Sequence, residues 1–188
     1  MSFRVLVVPE DPTYNGYILS PLVSRILREC GRTNARVTVL SNPKTSGYDN
    51  AKTLLVNQIL ETYSHFDLIL FLPDADGNDR SVEFAALEAR ARELGAKLLC
   101  CAAIPEIEAW VLAGHVEKLE RSWAEVRAEP NLKESVFEPF LLEHGDPRRA
   151  SGGRDLLMEQ TLRNYRGLTA RCPELGQLEE CVRALFAK

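Results

Sequence analysis

The chain has 188 residues, of which 45% are apolar and 27% charged, and a formal net charge of −4. That suffices for one domain with an appendage and a core of its own. A pI of about 5.5 excludes a surface coated for nucleic acid, but not a nucleic-acid enzyme whose attraction comes from a local basic patch or a bound metal. No apolar run approaches the roughly 20 residues of a membrane span, so no membrane partner is expected. The start, Met-Ser-Phe-Arg-Val, lacks a signal-peptide design. Five cysteines, an odd number without metal spacing, point to a reducing cytoplasm.

Phe3 to Val8 is almost continuously apolar, the pattern of a central parallel strand, and ends at Pro9-Glu10-Asp11-Pro12. Ile18, Leu19, Leu22, Val23, Ile26 and Leu27 then recur at helical spacing. Ser20-Pro21 supplies a cap and a first-turn proline if that helix starts there. Arg36 to Leu40 is a second strand, β-branched in the middle. A loop over Ser41 to Tyr48 leads to a helix marked by Leu54, Leu55, Gln58 and Ile59. The third strand, Asp67 to Leu72, is followed by a helix over Ser81 to Leu94 that stops at Gly95. The fourth strand, Lys97 to Ile104, ends at Pro105, and Glu106 to Ala113 reads as helix.

Strands alternating with helices mean βαβ units and a parallel sheet. Right-handed crossovers place the first strand between the second and third, giving an α/β fold with order 2-1-3-4. Beyond this the pattern changes. Val116 to Val126, Lys133 to Leu142, Arg154 to Tyr165 and Leu178 to Phe186 read as helices, with no convincing strand. The expected organisation is an α/β domain over residues 1–114 and a helical C-terminal extension over 115–188.

Three strand ends carry acids: Glu10, then Asp74 and Asp76 in Leu-Pro-Asp-Ala-Asp-Gly, then Glu106 and Glu108. In a parallel sheet these ends share one edge, and neighbouring strands lie roughly 4.8 Å apart. Glu10 and the Asp-x-Asp pair therefore converge at the switch point of the sheet. Carboxylates so placed repel one another unless a cation offsets them, and hard oxygen donors suit magnesium. The plain alternative is a set of solvated turns, with Asp79 as a helix cap. Glu106 and Glu108 cannot both face one site if Pro105 starts a helix. Only one of the two then faces the site, and the plain alternative for Glu106 is a first-turn acid answering the helix dipole. Trp110, among Val111 and Leu112, reads as core.

At these residues the sequence resembles the TOPRIM domain, shared by topoisomerases, bacterial primases and OLD-type nucleases. Val-Val-Pro-Glu10-Asp-Pro-Thr is similar to its first motif, and Leu-Pro-Asp74-Ala-Asp76-Gly to its Asp-x-Asp motif. Ala103-Ile-Pro-Glu-Ile-Glu-Ala-Trp-Val-Leu-Ala113 is similar to the Glu-x-Trp segment of uncharacterised bacterial TOPRIM-like proteins related to RloB. The resemblance covers residues 1 to about 114. It implies a compact four-stranded sheet and a phosphoryl-transfer site using Mg²⁺ (or Mn²⁺), most plausibly a nuclease acting on DNA or RNA in bacterial defence. It assigns catalysis to Glu10, Asp74 and Asp76 and metal binding to these three with Glu108. Where OLD-type proteins carry Gly and Asp after the first Glu, this chain has Asp11 and Tyr14. A second metal would need Asp11 or Glu108. The chain is too short for topoisomerase gate domains, and no tyrosine is assigned as a nucleophile. The alternative reading is a non-catalytic binding subunit of a larger complex, with a protein partner.

Arg148, Arg149 and Arg154 flank Ser-Gly-Gly and are the candidate substrate contacts, since guanidinium forks suit phosphate. Gly152-Gly153 before a helix could present free N–H groups to the same anion. The alternative there is a solvated basic loop. His65, His115 and His144 show no metal spacing and read as structural. The chain lacks a dinucleotide-binding glycine pattern and a phosphate-loop Gly-Lys-Ser/Thr.

Overall fold

The computed structural model describes residues 2–186. Its strands are β1 (Arg4–Val8), β2 (Arg36–Val39), β3 (Leu68–Phe71) and β4 (Leu98–Cys100). They form one parallel sheet in the order β2-β1-β3-β4, as the alternation of elements predicts. Helix α1 (Pro12–Glu29) joins β1 to β2. Helix α2 (Tyr48–Leu54), a π-helical turn (Leu55–Ile59) and α3 (Leu60–Thr62) lead from β2 to β3. Helix α4 (Ser81–Glu93) joins β3 to β4.

Side chains alternate across the sheet. Val5, Val7, Leu68 and Leu70 pack with Ile18, Leu22 and Ile26 of α1. Leu6, Val8, Ile69 and Phe71 pack with Leu55, Ile59, Leu87 and Ala91 on the opposite face. Helices cover both faces, which is why β1 after Arg4, and all of β3, are apolar. Helix α1, which leaves β1, and helix α4, which leaves β3, pack on opposite faces, so the adjacent carboxyl ends of β1 and β3 form the switch point.

Helix α1 starts at Pro12, well before the apolar stripe that reveals it. Asp11 Oδ1 accepts the Thr13 N–H at 2.8 Å, and proline fills the first helical position. Pro21 lies inside the helix, so Ser20 caps nothing. The early turns carry Thr13, Tyr14 and Tyr17, which leave no apolar period to read. Regular β4 pairing ends at Cys100, short of the expected Ile104. The chain nevertheless stays beside β3, with the Ala103 N–H donating to Pro73 O at 2.8 Å.

Among the described residues, eight further helical segments follow: α5 (Glu108–Leu112), a 3-10 turn (Val116–Lys118), α6 (Trp123–Ala128), a π turn (Lys133–Phe137), α7 (Glu138–His144), α8 (Arg154–Leu162), α9 (Tyr165–Arg171) and α10 (Pro173–Ala184). The helix expected over Val116 to Val126 is broken, because Ser122 and Glu125 form a capping box that starts α6. The one expected over Arg154 to Tyr165 ends early, because Asn164 Oδ1 caps α9 by accepting the Gly167 N–H at 3.0 Å. Helix α10 begins at Pro173, ahead of the expected Leu178. Met1, Ala187 and Lys188 of the expected segments lie outside the described residues.

The extension shares its core with the sheet. Leu157, Met158, Leu168, Leu175 and Val182 belong to the cluster that contains Val5, Val7 and α1. Two close contacts join the segments. A Cβ on Gly114 would fall 2.5 Å from Thr161 Cα, so only glycine allows α8 to approach there. Trp110, fully buried, donates its indole N–H to Glu174 Oε1 at 3.0 Å, and Arg127 grips the same carboxylate at 2.7 and 3.0 Å. Replacing Arg127 by alanine leaves Glu174 buried beside an indole with no cation, and removing one partner of a buried pair is costly. Urea unfolding should show Arg127→Ala about 3 kcal/mol less stable than wild type. A loss under about 0.5 kcal/mol would mean the pair contributes no more than a surface bridge.

Candidate carboxylate site at the sheet edge

Three strand ends meet where the topology places them, and hydrogen bonds tie them in series. Glu10 follows β1, and its Oε1 accepts the backbone N–H of Asp74, beyond β3, at 3.0 Å. Asp74 Oδ1 in turn accepts the N–H of Ile107, at the start of α5, at 2.7 Å. The Ala75 N–H donates to Ala103 O at 2.8 Å and the Asp76 N–H to Pro105 O at 3.2 Å, so the turn after β3 is fastened to the segment after β4. Asp76 adopts a left-handed conformation, φ 49°, followed by Gly77 at φ 72°. Aspartate tolerates that region better than most residues. The result is a sharp turn that leaves the Asp76 side chain half exposed, 3.8 Å from Arg80.

Glu10 and Glu108 are buried, and Asp74 is partly so. Among the described residues, none of the three belongs to an ion pair. Burial, followed by the charge of Asp76, pushes the Glu10 carboxyl from its ordinary 4.5 up to about 7. Burial, then the charges of Glu108 and Glu10, hold Asp74 well above the usual carboxylate range. Glu108 is raised chiefly by burial. Burial and mutual repulsion thus favour the neutral form of these three carboxyls where no cation answers them.

Asp76 leans to Arg80, while Glu10 and Asp74 are engaged with backbone. Among the described residues, no three acidic, imidazole or thiol side chains stand together as a ready metal-ion cage. Asp11 is used as the α1 cap and offers little to a second metal. Glu106 accepts the Lys133 N–H at 2.7 Å, so it serves the π turn at Lys133 and not the helix that follows it in sequence.

The exposed arginines of the basic loop pair locally. Arg148 pairs with Asp146 at 3.1 Å and Arg149 with Asp155 at 2.8 Å. The Gly152 N–H donates to Arg149 O and the Gly153 N–H to Ser151 Oγ, so neither is free for an anion. Arg154 is buried, its guanidinium 4.3 Å from the Tyr14 ring centroid, and its charge reaches Glu108. Arg80, which sequence reasoning passed over, stacks 3.4 Å from the Tyr48 centroid and reaches Glu10 and Asp76. Its position four residues past Asp76, before a helix, was the available signal. Tyr165 donates its hydroxyl to Glu179 at 2.8 Å under Arg25, and His115 Nε2 meets Leu157 O at 3.1 Å. Both are structural.

Comparison of the chain with family models, curated proteins and solved structures gives no match. Among the described residues, no helix is long and apolar enough to cross a membrane.

The raised Glu10 value fixes a pH dependence. A carboxyl whose folded pKa lies above its unfolded value favours folding while protonated. That contribution is complete below about pH 4.5 and is lost as pH rises through about 7. Without divalent metal, wild type should lose on the order of 2 kcal/mol between about pH 5 and about pH 8 relative to Glu10→Gln. Thermal melts of both proteins in chelator test this. Parallel pH profiles would show that Glu10 titrates normally.

Proposed function

We propose that this protein is a Mg²⁺- or Mn²⁺-dependent phosphoryl-transfer enzyme, most plausibly a nuclease of TOPRIM type acting on DNA or RNA. The observation that carries this reading is the group of uncompensated carboxylates Glu10, Asp74 and Glu108 at the switch point of a parallel sheet, with Asp76 beside them. Perturbed acids in such a place mark functional sites, and hard oxygens with excess negative charge suit a divalent cation. Glu10, Asp74 and Asp76 would hold it, with Glu108 alongside. The bound cation supplies polarisation of a phosphate oxygen and stabilises charge developing there. Glu10 Oε1 is committed to the Asp74 N–H, which leaves Oε2 either to hold the cation or to accept a proton from an attacking water. Asp74 holds the start of α5, and with it Glu108, against the site.

The second reading, a non-catalytic binding subunit of a larger complex, is favoured by one specific observation. Glu10 and Asp74 already perform structural work as backbone acceptors. A cleavage screen with Mg²⁺ and Mn²⁺ against DNA and RNA separates the two. Wild type should cleave at least one substrate, and Asp74→Asn with Asp76→Asn should lower the rate about a hundredfold or more while circular dichroism stays unchanged. Binding without cleavage under either metal would establish the binding subunit. Cleavage undiminished in the double variant would remove these residues from the chemistry.

A further inference from the structure

We propose that Arg80 and Arg154 form a two-sided phosphate clamp across the carboxylate site. The inference rests on the phosphoryl-transfer reading of this edge and names the groups that would hold the substrate backbone. Among the described residues, only two side-chain polar atoms are buried without a hydrogen-bond partner: Arg80 Nε and Arg154 Nε. An orphaned buried N–H is costly, and few folded proteins keep one without use for it. Both orphans sit on arginines whose charge reaches the carboxylates, Arg80 at Glu10 and Arg154 at Glu108.

The two are built alike, from opposite faces of the sheet. Arg80 precedes α4 and lies against Tyr48 of α2 at 3.4 Å from the ring centroid. Its ion pairs, 3.8 Å to Asp76 and 3.9 Å to Glu83, are longer than hydrogen bonds. Arg154 opens α8 and lies between Tyr14 of α1 at 4.3 Å and Phe137 at 5.7 Å, with one hydrogen bond, Nη1 to Ser151 O at 3.0 Å. Stacking on an aromatic face fixes a guanidinium plane while its edge stays free to donate. Two such forks flanking an acidic edge suit the successive phosphates of a nucleic-acid strand, one on each side of the phosphate that the carboxylates and a cation would engage. The acids alone would repel that strand, and the clamp supplies the opposite charge where the approach requires it. Arg148 and Arg149, paired with Asp146 and Asp155, are left outside the clamp.

The test is fluorescence anisotropy with labelled single-stranded and duplex oligonucleotides, in chelator and in Mn²⁺, alongside Mn²⁺ binding measured by paramagnetic resonance without nucleic acid. Arg80→Ala and Arg154→Ala should each weaken oligonucleotide binding about tenfold or more and flatten its salt slope by roughly one phosphate contact. Mn²⁺ affinity should stay equal or tighten, because a competing cation is removed. If an alanine variant fails to fold, Arg80→Lys and Arg154→Lys decide: charge is kept, the fork is lost, and binding should still weaken. Folded variants that bind oligonucleotide like wild type would overturn the clamp, even if cleavage persists and the Asp74 and Asp76 substitutions still abolish it. Weakened binding in a wild type that never cleaves would support the clamp and reject only the nuclease. A wild type that binds no oligonucleotide would overturn both.

Discussion

Asp74 joins the carboxyl ends of three strands of this molecule. Its backbone N–H is held by the carboxylate after β1, and its own carboxylate holds the first turn of α5 after β4. One residue thus fixes three strand ends relative to one another. The arrangement depends on β1 and β3 being neighbours in register, Val8 beside Phe71, so that the next residues of each chain emerge side by side. It also depends on the apolar packing of both sheet faces, which excludes water from beneath the edge. That exclusion is what pushes the Glu10 carboxyl to about 7.

Placing acids there has a cost in stability that the rest of the fold bears. Like charges at neighbouring strand ends oppose folding at neutral pH unless a proton or cation answers them. The two stacked arginines answer them only in part, since neither forms a close pair with Glu10, Asp74 or Glu108. The extension adds rigidity behind the site: α5 is held by Trp110 on Glu174, and α8, which opens with Arg154, is drawn close to α5 by Gly114 and Thr161. The helices after the sheet therefore position both a carboxylate and a cation at its edge. A sheet alone would present Glu10 and Asp74 without them.

The sheet order was legible because β1 and β3 are short apolar runs separated by helical spacing, a pattern that admits few topologies. The acidic edge was legible for the same reason, since strand ends in a parallel sheet fall together. The start of α1 was hidden because its early turns carry Thr13, Tyr14 and Tyr17 and so have no apolar period. The breaks in the C-terminal helices were hidden because a single capping residue, Ser122 or Asn164, outweighs periodicity. The pairing of Arg148 and Arg149 with Asp146 and Asp155 is local charge satisfaction, which a count of arginines conceals. Arg80 and Arg154 owe their positions to stacking on Tyr48 and Tyr14, residues distant in sequence that only the fold brings near.

The central claim is that the carboxylates at the β1–β3 switch point are a divalent-cation site. The most direct measurement is an anomalous difference map from a crystal soaked in Mn²⁺. A peak within bonding distance of Glu10, Asp74 and Asp76 oxygens, with the Asp76 side chain turned from Arg80, is the expected result. A saturated soak with no peak at this edge, or one only at surface acids such as Asp146 or Glu143, would contradict it.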